Sequence, residues 1–170
     1  MLVTVGRLVP EKGLENAITV CNMLIEHNYD VKWYIIGDGV EKENLKKKII
    51  EYDLQDKFIL LGAQKNPYKW MKNCDIYVQT SKIEGFGITV YEAKMLAKPI
   101  VVSEIPAFQE QILNGVNGYL AKNNEIMYNK IVEIIENKDG IAEQFVENLK
   151  EENNRENKEE LEKLYEVMDG

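Results

Sequence analysis

Short apolar runs that end in glycine alternate with stretches of helical period along almost the whole chain. That alternation restricts the fold more than any other feature. Leu2-Val3-Thr4-Val5 is a β-branched run closed by Gly6, the pattern of a buried strand. Leu14, Ile18, Cys21 and Ile25 then recur at helical spacing from about Gly13 to His27. Further strands are predicted at 31–36, 57–61, 75–78, 99–102 and 118–120, with Gly37-Asp38-Gly39 stopping the second and Gly62 the third. Between them the spacing predicts a charged helix through Leu45, Ile49 and Ile50, and a short one opened by Asn66-Pro67. Two more are predicted from Gly87 to Leu96 and from Phe108 to Leu113. The remainder is predicted helical, 126–136 and then 141–168, with a break near Asn153-Asn154. Strict strand–helix alternation gives an α/β fold: a Rossmann-like, doubly wound parallel sheet of about six strands with helices on both faces, here with a C-terminal helical extension.

Such sheets bind ligands outside the carboxyl ends of their strands, near the point where strand order reverses. The loops after the strands are therefore where function is sought. After the first strand, Arg7 and Lys12 lie between Gly6 and Gly13. Two cations beside a helix N-terminus suit a phosphate or diphosphate. The loop is neither a P-loop nor a dinucleotide fingerprint: Glu11 stands where the P-loop's second glycine would be, and no Gly-x-Gly-x-x-Gly follows. Gly37-Asp38-Gly39 has Lys42 in the third glycine position and predicts a tight turn that keeps a side chain off a nearby ligand or chain.

The most informative segment is Glu84-Gly85-Phe86-Gly87-Ile88-Thr89-Val90-Tyr91-Glu92. The glycine pair opens a helix, so bare backbone makes an anion cradle. Glu92 then falls about 7.5 Å along that helix, on the face of Ile88. One carboxylate stands on each side of the proposed phosphate site. Carboxylates accept hydrogen bonds from sugar hydroxyls, and a diphosphate with a sugar at both ends is a nucleotide sugar.

Composition narrows the field. Of 170 residues, 45% are hydrophobic and 29% charged, and 21 Lys and Arg against 29 Asp and Glu leave a net charge of −8. Ten acids and four bases from Ile141 to Gly170 account for −6 of it, so the acidity belongs to the tail. Binding to nucleic acid, which needs a basic face, is not expected. No apolar run approaches the roughly 20 residues of a bilayer span, and no basic segment precedes Leu2, so neither a membrane span nor a secretory leader is expected. Cys21 and Cys74 lack metal-type spacing and are expected as free thiols of a cytoplasmic protein. The one histidine, His27, is expected on the surface.

Glu84 to Glu92 resembles the Glu-x7-Glu motif of retaining glycosyltransferases of family 4. The frame around it fits too: Asp75-Ile76-Tyr77-Val78, Ser81, Tyr91-Glu92-Ala93, Lys98-Pro99-Ile100-Val101-Val102, Glu110 and Asn117-Gly118-Tyr119-Leu120. The similarity runs over about residues 2 to 121. It implies the C-terminal, donor-binding half of a GT-B fold, with residues 1–140 as the donor domain and 141–170 as the extension. By this resemblance Arg7 and Lys12 hold the donor diphosphate, with Gly6 beside them. Glu84, the catalytic-site acid, meets the sugar hydroxyls. The Gly85-Phe86-Gly87 backbone and Ile88 line the sugar and phosphates, and Glu92 takes the ribose. Leu61-Gly62-Ala63-Gln64 passes the base, and Gly37 lies near the same mouth.

The implied reaction is sugar transfer from a nucleoside-diphosphate sugar, a UDP-sugar before a GDP-sugar, to a glycan or lipid-linked acceptor, without metal or cofactor. The acceptor half of such enzymes does not lie within these residues. The implied whole is cytoplasmic, placed at the inner membrane face through that half, and the excised donor domain is expected to be inactive alone. One departure stands out: Pro106-Ala107-Phe108 replaces a small Gly-Gly pair common in the family, and the role of Phe108 is open. The alternatives are a non-catalytic nucleotide-sugar-binding module and a signalling receiver. The second is disfavoured because no Asp ends the third strand, Phe58-Ile59-Leu60-Leu61-Gly62.

Overall fold

The computed structural model describes residues 1–169, with side chains described through Asn157. Six strands, β1 (Leu2–Val5), β2 (Trp33–Ile36), β3 (Phe58–Gly62), β4 (Ile76–Gln79), β5 (Ile100–Ser103) and β6 (Tyr119–Ala121), alternate with seven α-helices. These are α1 (Leu14–Glu26), α2 (Lys42–Glu51), α3 (Tyr68–Asn73), α4 (Ile88–Met95), α5 (Pro106–Gln109), α6 (Asn124–Ile135) and α7 (Ile141–Asp169). All strands pair in parallel, in the order β3-β2-β1-β4-β5-β6. The order reverses between β1 and β4, which places a topological switch point at their carboxyl ends.

Strand side chains alternate between the two faces. Leu2, Trp33, Ile35, Ile76, Val78 and Val101 pack with α1, α2 and α6 in one core. Val3, Ile36, Tyr77, Ile100 and Val102 pack with α3, α4 and α5 in the other. Cys21 and Cys74 are both free and buried, one in each core. Burial pushes each thiol up to about 12, which leaves them unreactive packing groups.

Two expectations are corrected. The break at Asn153-Asn154 is absent: α7 runs unbroken from Ile141 to Asp169. Asparagine in a helix costs well under about 1 kcal/mol, and here the Asn153 amide donates to the Lys94 and Met95 carbonyls at 3.1 and 3.3 Å, meeting the C-terminal end of α4. Phe145 and Leu149 of α7 are fully buried. In addition, Glu152 pairs with the buried Lys94 at 2.8 Å and accepts from Asn117 at 2.9 Å. The helix expected at Phe108–Leu113 instead spans Pro106–Gln109; it starts at Pro106 because proline is pre-set for the first helical position.

Candidate functional site

The loops after β1 and β4 close on each other at the switch point. The Lys82 N–H donates to the Glu11 carbonyl at 2.7 Å, and Thr80 Oγ1 donates to the Lys12 carbonyl at 3.1 Å. Gly13 sits at φ 58, and a Cβ there would stand 2.4 Å from the Thr80 carbonyl oxygen. Only glycine allows this closeness. Gly13 and Gly87 precede α1 and α4 in left-handed conformation, and no side chain caps either helix. A serine or aspartate cap would occupy the first-turn N–H groups. Here both helix dipoles face the mouth without one.

Into this mouth the fold brings Lys12 and Glu84 together as an ion pair with exposures of only 15% and 12%. Gly6 lies beside Lys12 and Gln79: a Cβ there would meet Lys12 Cε at 3.5 Å and Gln79 Nε2 at 3.6 Å. Arg7 is exposed and pairs with no acid among the described residues. Gly85 and Phe86 are exposed, and nothing lies within 4 Å of a Cβ on Gly85. Ile88 is exposed at the first turn of α4.

Phe108 does not narrow the mouth. It is fully buried, and its ring edge would meet a Cβ on Gly87 at 2.6 Å. Gln111, on the turn after α5, donates to the Phe86 and Ala107 carbonyls. Phe108 and Gln111 thus form the seat under the Phe86–Gly87 peptide.

Glu92 stands apart from this cluster. Its Oε1 accepts from the Tyr68 hydroxyl on α3 at 2.7 Å, and that bond holds the phenol above its ordinary pKa. Gly37 and Gly62 step away along the sheet. The Gly6 N–H donates to Ile36, and the Gly37 N–H to Gly62, at 2.9 and 3.0 Å. A Cβ on Gly37 would stand 1.8 Å from the Gly6 carbonyl oxygen, so the glycine lets the second loop support the first. Asp38 is held below its usual pKa by the Gly39 N–H and by Lys42, and serves that turn. Gly62 is at φ 72 with open space around it.

Sequence reasoning missed Tyr68, Gln79 and Gln111. Gln79 alone left a signal, as a polar residue alternating with Tyr77 and Ser81 where a buried strand ends. His27 lies at the far end of α1, exposed, its Nδ1 2.7 Å from the Met23 carbonyl oxygen. A separate groove of ≈ 660 Å³ opens at the amino-terminal edge of the sheet, beside Leu2, Val31, Ile76, Pro99 and Val146. It contains none of the strand-end residues. Among the described residues, no three His, Cys, Asp or Glu side chains gather to hold a metal ion, and no helix is long and apolar enough to cross a membrane.

A six-stranded Rossmann-like sheet whose reversal point carries a cation–carboxylate pair between two uncapped helix ends is a domain of the doubly wound α/β class. The chain belongs to the glycosyl transferases group 1 family, whose pattern it matches over residues 1–152. It is 30% identical over 144 residues to the poly(ribitol-phosphate) alpha-N-acetylglucosaminyltransferase of Staphylococcus aureus, covering 83% of this chain and 29% of that protein. A mutant of S. aureus TarM, solved with fondaparinux, alpha-GlcNAc-glycerol and UDP, superposes with a TM-score of 0.82 at 30% identity over 88% of this chain and 31% of that one. The C-terminal domain of a group 1 glycosyl transferase, LpcC of Francisella tularensis, shares the fold with a TM-score of 0.76 at 23% identity, covering 87% of this chain and 81% of that one. The chain therefore spans under a third of the curated relative.

Proposed function

We propose that these residues form the donor-binding half of a retaining, family 4 glycosyltransferase that takes its sugar from a nucleoside-diphosphate sugar, UDP-linked before GDP-linked. The observation that carries this reading is the Lys12–Glu84 pair between the Gly13 and Gly87 helix ends. A diphosphate placed there meets Arg7, Lys12 and two helix dipoles, and its sugar meets Glu84. That set supplies positive charge without a metal or cofactor. Glu92, oriented by Tyr68, faces the ribose, and the turn at Gly62 passes the base. The UDP in the TarM structure supports the choice of base.

Glu84 is the residue assigned to the reacting sugar. Its carboxylate orients the donor hydroxyls, while backbone N–H groups at Gly87 and α4 stabilise charge that develops on the departing diphosphate. The acceptor is a glycan or lipid-linked chain, held by a second domain. The poly(ribitol-phosphate) named for the S. aureus relative supports a polymeric acceptor. Transfer needs the acceptor placed in line with the anomeric carbon and water kept out, so residues 1–170 alone are expected to bind donor without transferring sugar. In this reading the protein works in the cytoplasm, at the inner membrane face through the acceptor half.

A thermal-shift screen of nucleoside diphosphates tests the reading. Ligand at 100 times its Kd stabilises by about 2.7 kcal/mol, roughly 5–10 °C for a chain of this size. UDP should shift melting more than GDP. No shift with any nucleoside diphosphate would contradict it.

A further inference from the structure

Four polar side chains run in a line beneath the mouth. Tyr77, Gln79 and Ser81 occupy alternate positions on β4 and its continuation, so they point to one face of the sheet. The Tyr77 hydroxyl donates to Gln79 Oε1 at 2.9 Å, Gln79 Nε2 donates to Ser81 Oγ at 3.0 Å, and Ser81 Oγ donates to Glu84 Oε1 at 2.7 Å. Tyr77 and Gln79 are 0% exposed, and Ser81 is 1% exposed.

We propose that Gln79 is a positioning residue which, through the Ser81 hydroxyl, fixes the Glu84 carboxylate so that one oxygen is locked and the other is presented to the donor sugar. This rests on the assignment of Glu84 to the sugar.

The direction of the line follows from proton counting. A serine hydroxyl has one proton and rotates freely. At 2.7 Å from a carboxylate oxygen that proton must point at Glu84, because two facing lone pairs would repel. Ser81 is then an acceptor toward Gln79, which requires the amide N–H₂ end to face it. The Gln79 carbonyl end therefore faces Tyr77, which must donate. Burial pushes the Tyr77 phenol pKa upward, so it keeps that proton.

Each link determines the next, and the line ends on Glu84 Oε1. Lys12 Nζ pairs with the same oxygen. Glu84 Oε2 accepts from no described residue. A buried amide is costly unless hydrogen-bonded, and an aliphatic side chain would pack at this strand position without that requirement.

The test compares UDP-glucose with UDP by calorimetry on wild type, Gln79→Met, Ser81→Ala and Glu84→Gln. Gln79→Met and Ser81→Ala should weaken UDP-glucose roughly threefold to tenfold while UDP stays within about twofold. Equal losses for both ligands would reduce Gln79 to a structural role and overturn the proposal. If Glu84→Gln changes the ratio of the two affinities and Gln79→Met does not, the relay is wrong and the reading of Glu84 stands. If Glu84→Gln leaves the ratio unchanged, the sugar assignment itself fails.

A ligand-free measurement decides the relay in every case. The Gln79 side-chain amide protons in a ¹⁵N spectrum should exchange slowly with water and shift in Tyr77→Phe, Ser81→Ala and Glu84→Gln. Exchange as fast as that of exposed amides such as Gln64, or resonances indifferent to all three substitutions, would overturn it.

Discussion

Lys12 and Glu84, 72 residues apart in sequence, meet as one ion pair across the reversal point of the sheet. Each is the other's only charged partner among the described residues. In the proposed reading, a diphosphate entering between the two helix ends would compete with Glu84 for Lys12 and release that side of the carboxylate. On that reading, donor binding and sugar orientation would be coupled through this contact.

The coupling separates the two residues. Glu84→Gln should leave UDP affinity unchanged or raise it a few-fold, because the lysine then faces the phosphates uncompensated. The same variant should lose the preference for UDP-glucose over UDP. Lys12→Ala should weaken UDP about ten- to hundredfold, the range for a charge-assisted contact of roughly 1.5–3 kcal/mol, and should also lower stability by leaving a part-buried carboxylate unpaired. Calorimetry and thermal melts on both variants check this, and UDP loss in Glu84→Gln comparable to that in Lys12→Ala would refute the competition.

Among the described residues, Arg7 pairs with no acid. Arg7→Ala should therefore leave the melting temperature of the free chain unchanged. It should weaken UDP about ten- to hundredfold and uridine hardly at all. Equal losses for nucleotide and nucleoside would move Arg7 off the phosphates.

Tyr68 and Glu92 supply an independent check on the proposed ribose contact. Tyr68→Phe removes the hydroxyl that orients the carboxylate and should weaken UDP and uridine alike, by roughly twofold to tenfold. Glu92→Gln should weaken both further. Calorimetric titration with uridine alone reads the effect, and an effect confined to UDP would place Glu92 at the phosphates instead.

Gly87→Ala meets two obstacles, the left-handed φ of 82° and the Phe108 ring edge 2.6 Å from the new Cβ. Strained backbone of this kind costs about 1–3 kcal/mol. Phe108→Leu in the same chain should recover part of the stability, since it relieves the contact and leaves the dihedral. Melting temperatures of the two variants measure both parts, and a neutral Gly87→Ala would contradict the packing described.

The contacts of Glu152 on α7 with Lys94 and Asn117 give a pH dependence. Burial raises the Glu152 pKa, but the hydrogen bonds from Lys94 and Asn117 outweigh it and the net shift is downward from 4.5. A depressed carboxylate contributes stability above its unfolded pKa and loses it as pH falls through the folded one. Amide exchange around Leu149 and Asn153 should therefore quicken below about pH 4.5 relative to the strands. Glu152→Gln should abolish that difference, and an unchanged pH response in the variant would assign it elsewhere.

Much of this was readable in the sequence because it is written locally. Apart from Leu2, the runs Leu2–Val5 and Trp33–Ile36 are β-branched or aromatic, and a glycine follows each; Gly87 stands at the helix opening that the sequence predicts. What escaped is written across distance. The Tyr68–Glu92 contact joins residues 24 apart on different helices. Gln79 shows its purpose only once Ser81 and Glu84 fold back over it. Asn153 looks like a helix breaker until the end of α4 is seen to accept its amide. Phe108 comes to lie under Gly87 only in the folded chain, 21 residues on.

The most direct measurement is calorimetric titration of residues 1–170 with UDP, in wild type and in the Arg7→Ala, Lys12→Ala double variant. One saturable site in the wild type and no measurable binding in the double variant is the expected result. UDP binding that survives loss of both cations, or a wild-type chain that binds no nucleoside diphosphate at all, would contradict a donor site at the β1–β4 reversal point.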